Sequence, residues 1–317
     1  MTRGSDLLDR TREDLLAALL GEVAATGYAF VPPTPETHRR VNARPGNETA
    51  RDLRDVFGWS RPFARDTLKP RILALLEQAE LLEPAGGFFK SRARIATLNG
   101  RAYLHSAYPT TAPDSVFFGP DTYRFVRAAL ACLPERPYAR AVDLGCGSGA
   151  GGLAVAAARP VGELWLTDIN SAALFLARTN ARHQDRTAHF AESDLFGALT
   201  GQFDLVLANP PYLVDQGKRA YRDGGGEFGF DLGLRIVREC IQRLSEDGVL
   251  FLYTGVPIIG GVDRFRTEME QILNHRRFKA SYSEIDPDVF GEELDNTAYR
   301  NTDRIAAVAL MIQRLRN

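Results

Sequence analysis

Two short stretches constrain this chain more than anything else in it. The first is Ala141-Val142-Asp143-Leu144-Gly145-Cys146-Gly147-Ser148-Gly149, and the second is Phe203-Asp204-Leu205-Val206-Leu207-Ala208-Asn209-Pro210-Pro211-Tyr212. Each is a short apolar run that ends abruptly in residues suited to a tight turn. Such runs suit parallel strands buried on both faces, which open at their C-terminal ends into a ligand crevice. The first end is expected to cradle a cofactor and the second to clamp a substrate nitrogen.

The surrounding pattern agrees. From about residue 120 the chain alternates between apolar runs (about 139–144, 163–167, 189–192, 203–208 and 249–253) and helical spacing (about 121–133, 151–158, 171–183 and 230–245). That is βαβ repetition, hence an α/β fold with a parallel sheet. A helix at 262–274 then leads to two β-like runs, Lys279 to Ile285 and Arg304 to Arg314, which predict an antiparallel hairpin closing a Rossmann-like seven-stranded sheet. The loop Asp286 to Asn301 between them reads equally as a lid or a packed connection.

Ahead of this lies a different kind of chain. Residues 12–26 carry Leu15, Leu16, Leu19, Leu20 and Val23 at helical spacing, with Thr11 and Asp14 placed as a cap. Residues 31–49 are loop-like, with Pro32, Pro33 and Pro35 holding the chain extended. Residues 51–58 and 66–82 predict helices, the second stopped by Pro84 and Gly86-Gly87. Asn99-Gly100 joins two alternating runs, a strong hairpin signal. The expectation is a smaller α+β, winged-helix-like domain over 1–110 that recognises substrate, and a catalytic domain over 111–317.

At the first strand end, Gly145, Gly147 and Gly149 permit a sharp turn with close backbone approach, and the helix beyond offers free amide N–H groups. Asp168 ends the next strand about twenty residues on, where a carboxylate accepts hydrogen bonds from a ribose diol. The glycines alone fit a dinucleotide as well as S-adenosylmethionine. Asp143 inside the first strand end and Asp194 after the third tilt the balance. Three carboxylates suit a cofactor carrying a sulfonium and an ammonium and would repel two phosphates.

At the second end, two successive prolines fix φ twice and remove two N–H donors. They aim the Asn209 side chain and the Pro210 carbonyl as acceptors for both hydrogens of a planar NH2. Tyr212 is placed to stack on the flat group behind it. Holding both N–H bonds orients the nitrogen lone pair and favours the charge that builds on it during methyl transfer.

These residues make residues 117–255 resemble class I S-adenosylmethionine-dependent methyltransferases with an Asn-Pro-Pro-Tyr motif, and within them the HemK/PrmC-type glutamine N5-methyltransferases. The likeness rests on Gly119-Pro120-Asp121-Thr122, Val142 to Gly149, Thr167-Asp168-Ile169, Ser193-Asp194-Leu195-Phe196, Phe203 to Tyr212, and the Gly224-Gly225-Gly226 to Gly233-Leu234 segment. It implies a class I methyltransferase sheet with S-adenosylmethionine held by Asp143, Gly145, Cys146, Gly147, Ser148, Gly149, Asp168, Ile169, Asp194, Leu195 and Asn209. It also implies that Asn209, Pro210, Pro211 and Tyr212 hold the substrate, with protein glutamine as the first expectation. The likeness does not reach residues 1–110.

Nucleic-acid bases with exocyclic amines, or small amines, stay open as acceptors. Residues 38–65 interleave Arg39, Arg40, Arg44, Arg51, Arg54, Arg61 and Arg65 with Phe57, Trp59 and Phe63, a pattern that suits single-stranded RNA. Against it, the net charge is only −1, so no global field gathers nucleic acid or an anionic membrane. The apolar and charged fractions, 44% and 25%, are those of an ordinary globular chain, and no apolar run reaches the ~20 residues that span a bilayer. Cys132, Cys146 and Cys240 form no CxxC and read as reduced cytoplasmic thiols. His38, His105, His183, His189 and His275 are scattered, so no metal is expected.

Overall fold

The structure, a computed structural model, describes residues 2–215, 217, 219, 221–273 and 277–316. The chain divides into two compact units. One holds residues 1–124, 147–154 and 171–187, and the other residues 125–146, 155–170 and 188–317.

The first unit opens with α1 (Thr2–Ala24). The helix starts well before the expected cap at Thr11, because residues 2–10 contain no proline and only one glycine to stop it. Leu16, Leu19, Leu20 and Val23 are buried, as their spacing predicts. The stretch expected as loop contains α2 (Pro35–Asn42). Thr34 caps it by accepting from the Thr37 amide, and Pro35 occupies the first turn, where a missing N–H costs nothing. Next come α3 (Leu53–Phe57), capped by Asp52, and α4 (Pro70–Gln78). The helix expected to reach residue 82 ends four residues earlier, and Glu80 takes a positive φ of 57°. Gly86-Gly87, read as a stop, instead turns a hairpin between β1 (Leu82–Ala85) and β2 (Phe88–Ser91). The hairpin of β3 (Ala93–Leu98) and β4 (Arg101–Ser106) forms as expected, with φ of 50° at Asn99 and 75° at Gly100. Positive φ at both positions is what a two-residue hairpin turn needs.

The remaining elements are α5 (Pro120–Cys132), β5 (Tyr138–Leu144), α6 (Ala150–Ala158), β6 (Val161–Asp168), α7 (Ser171–His183), β7 (His189–Glu192) and β8 (Phe203–Ala208). They are followed by α8 (Asp231–Arg243), β9 (Leu244–Ile259), the two-residue β10 (Val262–Asp263), α9 (Arg264–Ile272), β11 (Phe278–Asp286) and β12 (Arg304–Arg314). The end of the helix expected to reach residue 274, and His275, lie outside the described residues.

The sheet has the order β11-β12-β9-β8-β5-β6-β7, with β10 paired to β9 beside this path. β5 to β9 run parallel; β12 and β11 form the antiparallel end. β9 extends far beyond the expected 249–253. Its partner β8 ends opposite Leu252, so Pro257 sits where the missing N–H meets no strand on that side, while β12 pairs along the other. Leu205, Val206 and Leu207 are all fully buried, so both faces of β8 are covered.

Candidate active site

The site follows from strand order. β5 pairs with β6 on one side and β8 on the other, so the sheet reverses direction there, the position at which α/β sheets bind ligands. Leu144 lies opposite both Thr167 and Ala208, and Asp168 opposite Glu192. The residues that follow therefore emerge along one sheet edge. Asp143, Gly145, Cys146, Asp168, Ile169, Asp194, Leu195 and Asn209 all lie there, spread over three strand spacings, or about 14 Å.

The turn after β5 is tied down from behind. The Cys146 amide donates to the Thr167 carbonyl at 2.9 Å, and the Thr167 hydroxyl to the Asp143 carbonyl at 3.3 Å. Gly145 has φ of 64°, and a Cβ placed on it would meet open space, as a ligand cradle requires. Gly147 and Gly149, in the other unit, also take positive φ. There the Ser148 carbonyl accepts from Asn180 Nδ2 at 2.9 Å. The fully buried Asn180 also bonds both the amide and the carbonyl of Leu104. Asn180 lies mid-helix, and nothing in its sequence neighbourhood singled it out.

The carboxylates differ in setting. Asp143 is buried. Asp168 accepts from the Asn170 amide at 2.9 Å, and its carbonyl accepts from the Ser193 amide at 3.0 Å. Next to it Ile169 is 56% exposed, an apolar surface waiting beside a polar strand end. Asp194 is exposed and paired with Arg235 at 2.8 Å, a partner the sequence did not suggest. Leu195 is buried at a positive φ of 48°.

The turn after β8 is braced by glycines. Asn209 is half-buried, and its side chain makes no hydrogen bond to another described residue; the Pro210 carbonyl is equally unengaged. Behind them the chain folds back: the Leu213 amide donates to the Arg222 carbonyl, and the Gly224 amide to the Leu213 carbonyl. A Cβ at Gly224 would lie 1.7 Å from the Gly229 carbonyl oxygen and 2.7 Å from that of Pro211. One at Gly229 would lie 2.5 Å from the Tyr212 carbonyl oxygen. Tyr212 is buried, its ring set over Gly255 and edge-on to Tyr253 and Phe290.

The segment 286–301 is a packed connection. Val289 and Tyr299 are buried, the Tyr299 hydroxyl accepts from the Val214 amide at 2.8 Å, and Asn296 Nδ2 donates to the Val214 carbonyl at 3.3 Å. Burial pushes the Tyr299 phenol up to about 12, so it stays a neutral hydroxyl. Asp215 is held down to about 2 by hydrogen bonds from Arg219, and Arg222 pairs with both Asp215 and Glu293. An open cavity of about 460 Å³ lies here, lined by Val214, Asp215, Glu293, Asp295, Asn296 and Thr297. Among the described residues no group of three or more His, Cys, Asp or Glu is placed to hold a metal, and no helix is long and apolar enough to cross a membrane.

Residues 126–258 match the methyltransferase small domain family. The release factor glutamine methyltransferase of Escherichia coli (strain K12) is 41% identical over 124 residues, 38% of this chain and 44% of that protein. The ribosomal protein uL3 glutamine methyltransferase of Xanthomonas campestris pv. campestris is 30% identical over 217 residues, 64% of this chain and 67% of that protein. The chain belongs to the HemK/PrmC-type methyltransferase family. The chain spans about 44% of the length of the release factor glutamine methyltransferase of Escherichia coli that it matches. A solved structure from Streptococcus mutans shares the fold, with a TM-score of 0.50 at 13% identity, covering 77% of this chain and 64% of that one. The family's sequence likeness thus falls on the sheet that carries the edge residues named above.

Proposed function

We propose that this family member transfers a methyl group from S-adenosylmethionine to a planar NH2 nitrogen, that of a protein glutamine side chain. The observation that carries the reading is the Asn209 side chain and Pro210 carbonyl, both unengaged, on a proline-stiffened turn one strand from the open glycine turn. Two acceptors so placed match the two hydrogens of an amide NH2. The names of the relatives, both glutamine methyltransferases, support the choice of acceptor.

The residues fit the cofactor. The open turn at Gly145 lets the backbone approach it, Asp168 suits its ribose diol, the exposed Ile169 offers apolar surface to adenine, and Asp143 favours its positive charge, whereas Asp194 is already paired with Arg235 and Leu195 is buried. When bound, it supplies the methyl group on a sulfonium. Asn209 and Pro210 hold the acceptor nitrogen so that its lone pair faces the methyl, and they strengthen as positive charge builds on that nitrogen. Little strong base is needed, because the alkylated nitrogen is acidic and sheds its proton readily. Pro211 stiffens the turn, and Tyr212, fixed over Gly255, holds its rear.

Residues 1–110 are proposed as the substrate-recognition domain, with 111–317 catalytic. The ion pairs favour protein over RNA as substrate: Arg39 and Arg40 pair with Glu36, Arg51 and the buried Arg61 with Asp55, and Arg65 with Glu77. Three carboxylates offset part of the charge of these five arginines, which lowers what they offer to phosphates. Incubating the protein with methyl-labelled cofactor and a cell extract tests this. Label is expected in protein, as N5-methylglutamine; label in RNA or small molecules instead would overturn the acceptor assignment.

A further inference from the structure

In the first unit, the β3–β4 hairpin buries both of its faces. One carries Ala93, Ile95, Ala102 and Leu104 into the apolar core with α1 and α4. The other carries Arg94 and His105, which sit directly opposite each other across the hairpin and so share a face. Alternation would leave such a face to water, yet Arg94 is only 5% exposed and His105 only 1%. Arg94 donates from Nε to the Gly58 carbonyl at 2.9 Å and lies over the Phe30 ring, but its Nη2 is buried with no partner. No carboxylate among the described residues pairs with it. Both nitrogens of His105, stacked on Phe118, are buried and unpartnered. His38 adds a third such group. Its Nε2 is buried and unpartnered, and its ring lies 4.0 Å from that of the half-buried Tyr108.

A buried cation with no anion, beside donors with no acceptor, is a costly arrangement unless something answers it. We propose that Arg94, His38 and His105 form a binding site for a ligand oxyanion, a carboxylate or a phosphate. The guanidinium supplies charge and a fork of N–H donors, and each imidazole supplies one N–H. Burial and the Arg94 charge both depress the two imidazoles, so they are neutral near pH 7 and add no competing cation. The inference does not rest on the methyltransferase reading.

The test uses the whole protein at pH 7, titrated with acetate or inorganic phosphate against sodium chloride at matched ionic strength. Thermal unfolding and the NMR signals of the histidine ring protons are followed. A saturable displacement of the His38 and His105 signals is expected, with a rise of several degrees in Tm, from at least one of the two oxyanions and not from chloride. Response to acetate alone identifies a carboxylate ligand, and response to phosphate alone a phosphate ligand. Arg94→Met, which keeps the stem without the charge, should weaken binding about tenfold or more; Arg94→Lys serves if the Met variant does not fold. Equal responses to chloride and both oxyanions would overturn the proposal, as would binding unchanged in the Arg94 variant. Either result would leave water as the partner of these groups.

Discussion

The turn after β8 and the second face of the β3–β4 hairpin handle polar groups in opposite ways. At the turn, the free acceptors of Asn209 and Pro210 stand at the sheet's edge, and behind them Gly224 and Gly229 let backbone approach backbone too closely for any side chain. In the hairpin, the strands are regular, but Arg94 Nη2 and both ring nitrogens of His105 are buried without partners. The contrast teaches where specificity is stored. The turn keeps it in local backbone constraint, which Pro and Gly impose wherever they stand. The hairpin keeps it in what the rest of the unit packs against a strand.

Three measurements sharpen or break that contrast. Asn209→Ala removes an acceptor without touching the brace, so methyl transfer should fall about 100- to 1000-fold (~3–4 kcal/mol) while cofactor affinity and Tm stay nearly constant. Equal losses of transfer and Tm would show the turn to be structural only. Gly224→Ala does the reverse: it drives a methyl into the Gly229 and Pro211 carbonyls, so unfolding free energy by denaturant titration should drop by roughly 2–3 kcal/mol. A neutral result would mean the brace yields easily. The smallest effect belongs to His38 of α2, whose imidazole feels the charge of Arg94 on that hairpin face. His38 is lowered to about 4 from 6.5 by burial and by Arg94. Between those values the unfolded chain binds a proton that the folded one does not. Stability is therefore whole above about pH 6.5 and falls as pH drops toward 4, by up to ~1.4 kcal/mol per pH unit for each such imidazole. Equilibrium unfolding across that range should show the slope, and His38→Phe should reduce it.

The sheet was readable because its signals are local. Apolar runs closed by Gly-x-Gly-x-Gly or Asn-Pro-Pro mark strand ends almost to the residue: β8 and α7 fall where the pattern puts them. Other features were hidden for stated reasons. Thr11 looks like a cap, but only the absence of a breaker upstream tells that α1 continues through it. Gly86-Gly87 stops a helix and turns a hairpin equally well, and β1 is too short to announce itself. The Arg235 partner of Asp194 and the Tyr299 hydroxyl on Val214 are long-range contacts with no sequence signature. The arginine-aromatic interleaving of residues 38–65 suggested an RNA surface, but much of it is spent on ion pairs and ring contacts inside its own fold, as where Arg61 lies over Trp59 and bonds Asp55.

Leu144 and Ala208 face each other across one rung of the parallel β5–β8 ladder. The spacing between the ends of β5 and β8, from which the two turns leave, is therefore set by the sheet itself and not by loop length. Under the proposed methyl transfer, insertions into the loops beyond can change which acceptor is held while that starting distance stays the same.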